Sequence, residues 1–279
     1  MNVRSTLPTL ALALCLVAPA SAVGQSFGAF GEAPALTLAV PLFDDQQIGT
    51  WLTTLDRLLS AAEATKAESA DQILGTFIRR VQGGRLSAAQ ELRIVTHLDR
   101  RAIAVPADRA ALRRARQAIQ TLTVGKKAPE ITGTDLNGAS FRLSDYRGQV
   151  VAIVFSAEWC GICRTLYPYE RLMLELYKNW PFALLGVEAG SDVEAARRLR
   201  ADQGLGFRAW WDGTEGPITG SWNVGGLPAV YLIDDEGKIR FVDTRYEDLL
   251  KGVRQLLAEQ ITRADGAHQR ASIGPPSTP

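Results

Sequence analysis

The sequence predicts an α/β domain with a sheet core, preceded by a small all-helical segment. Three continuous apolar runs carry this reading: VVAIVF (150–155), FALLGV (182–187) and AVYLI (229–233), each of the kind buried on both faces of a sheet. Helical stretches alternate with them, Cys163–Lys178 after the first, Val193–Gln203 after the second and Glu247–Ile261 at the end. A fourth run, IRFVD (239–243), follows AVYLI across the turn DDEGK and closes a hairpin.

Upstream of residue 123 the periodicity is purely helical. Ile48, Trp51, Leu52, Leu55, Leu58 and Leu59 fall on one helix face, as do Ile73, Leu74, Phe77, Ile78 and Val81. Ser69 with Gln72 and Ser87 with Gln90 have the form of capping boxes, which satisfy unpaired amides at a helix start. Gly83 and Gly84 end one helix and Pro106 can open another, giving four helices in a helical domain over 46–122. Between Arg79 and Arg116 ten arginines face only Glu91, Asp99 and Asp108. Arg109, Arg113 and Arg116 share a face opposite Leu112 and Ile119, which reads as a solvated face over ordinary core spacing. The same basic face allows a weak contact with an anionic membrane surface.

The flanks divide differently. Residues 1–22 join Arg4, an apolar stretch from Leu7 to Val17 and the small residues Ala20, Ser21 and Ala22, the pattern of a signal peptide. That stretch is shorter than the about 20 residues of a membrane span. The expectation is a soluble protein secreted across the inner membrane, periplasmic or extracytoplasmic. Residues 23–45, rich in Gly, Ala and Pro, read as a linker, and 263–279 as a disordered tail with too little apolar surface to fold. A net charge of +1 offers no field for a polyanion, and export argues against nucleic acid.

With Cys15 assigned to the leader, Cys160 and Cys163 remain, in AEWCGICR. Strand, short loop and helix place Cys160 at a helix start, where free amides and the helix dipole favour a thiolate. Cys163, one turn on, faces the same side. The pattern calls for an exposed nucleophile at Cys160 and a shielded partner at Cys163. A structural disulfide over so short a span closes almost no loop and adds little stability by chain entropy.

The motif AEWCGICR, Pro168 eight residues after Cys160 and Pro228 in GGLP together resemble the thioredoxin superfamily. The stretch with APEI, LNG and LSDYRGQVV before the cysteines is similar to the exported TlpA/ResA-like, AhpC/TSA-related thiol-disulfide oxidoreductases, over about 124–262. The resemblance implies a thioredoxin-like fold over 123–262, a mixed central sheet flanked by helices. It implies a catalytic, redox-active Cys160–Cys163 disulfide and a cis bond before Pro228. It also sets Trp159, Gly161, Ile162, Leu227 and Pro228 around a substrate groove, while Pro168 is expected to kink the helix. The protein is then a protein-disulfide reductase without cofactor or metal, served by an external thiol donor such as a membrane thiol shuttle.

This sequence departs from the family's pattern in its acid–base residues. Thioredoxins carry a buried Asp where Val154 stands, and some relatives carry a Glu where Leu166 stands. Glu158 and Glu188 are the substitutes within reach, Glu158 reading as a solvated loop charge. Gly161 and Ile162 bring no cation, so the potential is expected nearer about −270 mV than about −120 mV. Ile153 and Ala157 occupy the Pro and Thr positions of a peroxiredoxin frame, which disfavours a peroxidase. No histidine lies between 123 and 262, against copper delivery, and zinc needs more ligands than one pair. A second class is an interaction module whose helical segment binds a partner.

Overall fold

The computed structural model describes residues 39–65 and 69–272. The leader 1–22, residues 23–38 of the linker and 273–279 of the tail lie outside them.

The described chain opens with four helices, α1 (Asp45–Thr65), α2 (Ala70–Gln82), α3 (Ala88–Ala104) and α4 (Arg109–Thr121). Both capping boxes form: Ser69 Oγ accepts from the Gln72 amide at 3.3 Å and Ser87 Oγ from the Gln90 amide at 3.2 Å. Pro106 opens a single 3₁₀ turn that leads into α4. Every apolar position expected on α2 is buried, and so are Ile48, Leu52, Leu55 and Leu59 of α1. Leu58 is exposed instead, because it lies off the stripe that those four share. Beside the buried Leu112 and Ile119, Arg109 donates to the Ala102 carbonyl and Arg116 pairs with Asp99. His97 bonds Asp56 at 3.0 Å.

The last residues of the linker do not hang free. The Arg85 amide donates to the Pro41 carbonyl at 2.9 Å, Phe43 stands edge-on to Trp51, and the Gln90 side chain donates to the Phe43 carbonyl. Apolar Phe43 has a partner in Trp51, which a composition rich in Gly, Ala and Pro conceals.

The α/β part begins with a small antiparallel hairpin, β1 (Thr132–Thr134) with β2 (Ser140–Arg142). The main sheet holds β3 (Val150–Ser156), β4 (Phe182–Glu188), β5 (Ala209–Trp211), β6 (Ala229–Ile233) and β7 (Ile239–Val242) in the order β5-β4-β3-β6-β7. It is mixed: β3 runs parallel to β4 and antiparallel to β6, and Gly237 at φ 83° turns the β6–β7 hairpin. Helices α5 (Tyr167–Leu176), α6 (Val193–Asp202), the short α7 (Pro217–Ser221) and α8 (Tyr246–Ser272) flank it. This is the thioredoxin-like architecture expected of the sequence. The hairpin β1–β2, β5 and α7 are too short to show a period, so the sequence pattern does not reveal them.

Two expected helices differ in their limits. The stretch after Cys160 starts as a 3₁₀ turn, Ile162–Leu166, and becomes α5 at Tyr167. Pro168 therefore stands in the first turn of α5 and does not kink it, since no amide is needed there. At the other end α8 runs to Ser272, through residues expected in the tail. A helix already nucleated extends at low cost through residues such as Ala, Arg and Gln.

Pleating splits the core in two. Val150, Ala152 and Val154 pack with Leu166, Met173 and the α8 residues Leu249 and Val253. Val151, Ile153 and Phe155 lie in a core that continues through Trp222 and Tyr231 to Ile78 and Leu112 of the helical segment. Gln82, buried at the end of α2, donates to the Leu122 carbonyl at 3.2 Å within the helical segment, and its side chain meets that of Tyr231 in the sheet.

Candidate active site

Strand β3 carries the chain to the middle of the sheet edge, and Ala157, Glu158 and Trp159 turn it toward Cys160. Cys160 and Cys163 are joined as a disulfide. The Cys163 amide donates to Cys160 Sγ at 3.3 Å and shares its proton with the Cys160 carbonyl at 3.2 Å, so a turn amide is aimed at the first sulfur. An N–H so placed favours a thiolate at Cys160 once the bond is reduced.

Cys160 is 4% exposed and Cys163 1%, so the expected open nucleophile is covered in the disulfide form. Its sulfur is turned to Cys163, and Ala157 and Leu227 pack against the pair. The neighbours of the pair are the open ones: Trp159 is 64% exposed and Ile162 56%, and Gly161 is exposed between the cysteines. Leu227 is half-buried and Pro228 buried, and the bond between them is cis, as the resemblance implies. Hence all seven residues singled out in the sequence lie on two loops that meet at the disulfide.

Several residues around the pair were not foreseen. The Arg245 guanidinium donates to the Pro228 carbonyl at 2.8 Å. Tyr246 lies within hydrogen-bond distance of Thr165, 3.2 Å between hydroxyls, and Asp243 and Tyr246 both have positive φ, 58° and 53°. Glu158 is not a solvated charge: its carboxylate accepts from the Ser191 amide at 2.9 Å and from its hydroxyl at 3.1 Å. Glu188 is buried and paired, accepting from Arg200 at 2.8 Å.

Val154, Ser156, Tyr167, Glu170, Glu188 and Arg200 pack together in a buried polar cluster beneath the end of β3. Glu170 is buried and one of its oxygens has no hydrogen-bond partner. Burial pushes its carboxyl up to about 7 against the pull of Arg200, and the like charge of Glu188 adds to the rise. Burial also raises Glu188. Glu170 could have been found in the sequence, because it falls on the buried stripe of α5 between Leu166 and Met173. Among the described residues, no cluster of three or more His, Cys, Asp or Glu could hold a metal ion.

A mixed five-stranded sheet with a cysteine pair at the end of its central strand, facing a cis-proline loop, defines a thioredoxin-superfamily protein. The AhpC/TSA family model matches residues 124–242. ResA, a thiol-disulfide oxidoreductase of Geobacillus kaustophilus, is 33% identical over 123 residues, 44% of this chain and 70% of that protein. A ResA of Bacillus cereus is 30% identical over 139 residues, 49% and 79% of the two chains. A thioredoxin domain of a Bacteroides vulgatus thiol-disulfide oxidoreductase is 28% identical, with a TM-score of 0.46 over 49% of this chain and 99% of that one. The chain belongs to the TlpA/ResA-like thiol-disulfide oxidoreductases. None of these three matches spans more than about half of it.

Proposed function

We propose that the protein reduces disulfides in other proteins outside the cytoplasm. The observation that carries this reading is the Cys163 amide on Cys160 Sγ. It favours the ionised form of the first sulfur once the disulfide is reduced. In the reduced protein the Cys160 thiolate attacks a substrate disulfide, forming a Cys160–substrate bond and expelling one substrate thiolate, which takes a proton. Cys163, deprotonated, then attacks Cys160 Sγ and expels the second substrate thiolate. Two electrons pass to the substrate, whose two thiolates take up the proton released by Cys163 and one from solvent, and the Cys160–Cys163 disulfide is left.

The exposed Trp159 and Ile162 and the half-buried Leu227 support a groove for the substrate chain across the pair. Regeneration needs an external dithiol, since the mature chain has no further cysteine once Cys15 leaves with the leader. A membrane thiol shuttle fits that role. The leader-like residues 1–22 support export, and no helix among the described residues is long and apolar enough to cross a membrane.

Reduction of insulin in the presence of dithiothreitol tests the reading. Cys160→Ser should abolish turnover, and Cys163→Ser should accumulate mixed disulfides. Undiminished turnover by Cys160→Ser would overturn it.

A further inference from the structure

The helical segment reaches the active-site loop through Arg79. This residue is exposed near the end of α2, and its Nη1 lies 3.3 Å from where a Cβ on Gly225 would sit. Gly225 and Gly226 are exposed and lead directly into Leu227 and Pro228, so the guanidinium stands beside the cis-proline loop. On the cysteine loop Arg164, next to Cys163, is exposed and donates to the Glu158 carbonyl at 3.4 Å.

Neither guanidinium is paired with a carboxylate among the described residues. Arg79 donates only to Thr76 Oγ1, at 3.2 Å, and Arg164 only to that backbone carbonyl. Glu158 accepts from Ser191 through Oε1 alone, and Asp243 faces Arg245 at 3.7 Å. Two guanidinium groups without a carboxylate partner thus stand on or beside the two loops that meet at a disulfide whose exposed neighbours, Trp159 and Ile162, are apolar.

We infer that Arg79 and Arg164 select a polypeptide disulfide flanked by carboxylates, and that the helical segment takes part in substrate recognition through Arg79. The inference rests on the disulfide-reductase reading and names its substrate class. The occupant fits by charge complementarity. A guanidinium presents a planar fork of donors that matches a carboxylate, and charges at a rim raise encounter rates and reject like-charged partners. An acidic side chain on each side of the substrate cystine would meet one arginine while the cystine lies over Leu227. A basic flank would face two cations with no counter-charge.

Three cystine peptides of equal length, with Asp/Glu, Ser/Gln or Lys/Arg flanks, test this on the full chain. Each is made also with Ser for Cys, so that binding to the oxidised protein is read by fluorescence anisotropy without turnover. The acidic peptide should bind about threefold to tenfold better than the neutral one, and the basic one worst. The preference should vanish at high salt. It should fall toward unity in Arg79→Gln and be partly kept in Arg79→Lys. Equal binding of the three peptides, or an acidic preference unchanged in Arg79→Gln, would overturn the inference. The reductase reading fails separately, if the wild-type protein reduces none of the cystine peptides while the binding preference persists.

Discussion

Arg200 on α6 reaches Glu188 at the end of β4 with a donor–acceptor distance of 2.8 Å, and both side chains are almost wholly buried. Its second nitrogen donates to the Phe207 carbonyl at 2.6 Å, and its guanidinium lies over the Phe207 ring. One cation therefore serves a buried carboxylate, with Glu170 close enough to feel it. Removing it leaves an uncompensated charge in the core. Arg200→Met should cost about 3–5 kcal/mol, read from urea unfolding. Replacing both partners, in Arg200→Met with Glu188→Leu, should recover most of that loss. A double variant as unstable as the single one would show that the desolvated carboxylate is not the cause.

Glu170 gives the stability a pH dependence of known sign. Its carboxyl is raised from 4.5 to about 7 in the folded chain, so between those values the folded state holds a proton that the unfolded state has lost. Stability contributed by this group is then full below pH 4.5 and declines as pH rises through about 7. The whole span corresponds to about 3 kcal/mol. Glu170→Gln, which stays neutral, should flatten this decline and be more stable than the parent at pH 8. Equal slopes of unfolding free energy against pH in the two proteins would refute the assignment.

Gly186 in β4 has no room for a side chain. A Cβ there would lie 2.8 Å from the Ala209 Cβ and 3.3 Å from Arg200 Nη1. The first neighbour is held by the parallel pairing of Gly186 with Ala209, so it cannot move without shifting β5. Gly186→Ala should destabilise by about 1–3 kcal/mol through overpacking, measured as a lower urea midpoint.

Much of this was open to inspection in the sequence, for reasons that lie in particular residues. The central strands β3, β4 and β6 are long continuous apolar runs, and α2 shows an uninterrupted stripe from Ile73 to Val81, so period and length identify them. Strand β5 has three residues, Ala209–Trp211, too few for any period. The cysteine pair and Pro228 could be assigned because local order, strand then turn then helix, fixes where they stand. Arg200, Arg245 and Arg79 could not be. Each acts across distances that the chain closes only by folding: 12 residues from Arg200 to Glu188, 17 from Arg245 to Pro228, and from α2 to Gly225 for Arg79. The burial of Cys160 was missed for the same reason, since Leu227, which covers it, comes from a distant loop.

Arg245 ties the turn before α8 to the cis-proline loop. Its Nη2 donates to the Pro228 carbonyl at 2.8 Å, and it lies in the turn between Asp243 and Tyr246, both in the left-handed region. A hydrogen bond from a charged donor contributes about 1.5–3 kcal/mol where its acceptor is otherwise unsatisfied. Here that energy acts on the position of Leu227 and Pro228 over the disulfide, so its loss should weaken substrate docking more than thiol chemistry. Arg245→Ala should lower kcat/KM for disulfide reduction about tenfold, mostly through KM. Arg245→Lys should restore part of it. The rate at which iodoacetamide alkylates the reduced Cys160 should stay near that of the parent, because the Cys163 amide that favours its thiolate is untouched. A fall in the alkylation rate matching the fall in kcat/KM would mean that Arg245 acts on the sulfur itself and not on the loop.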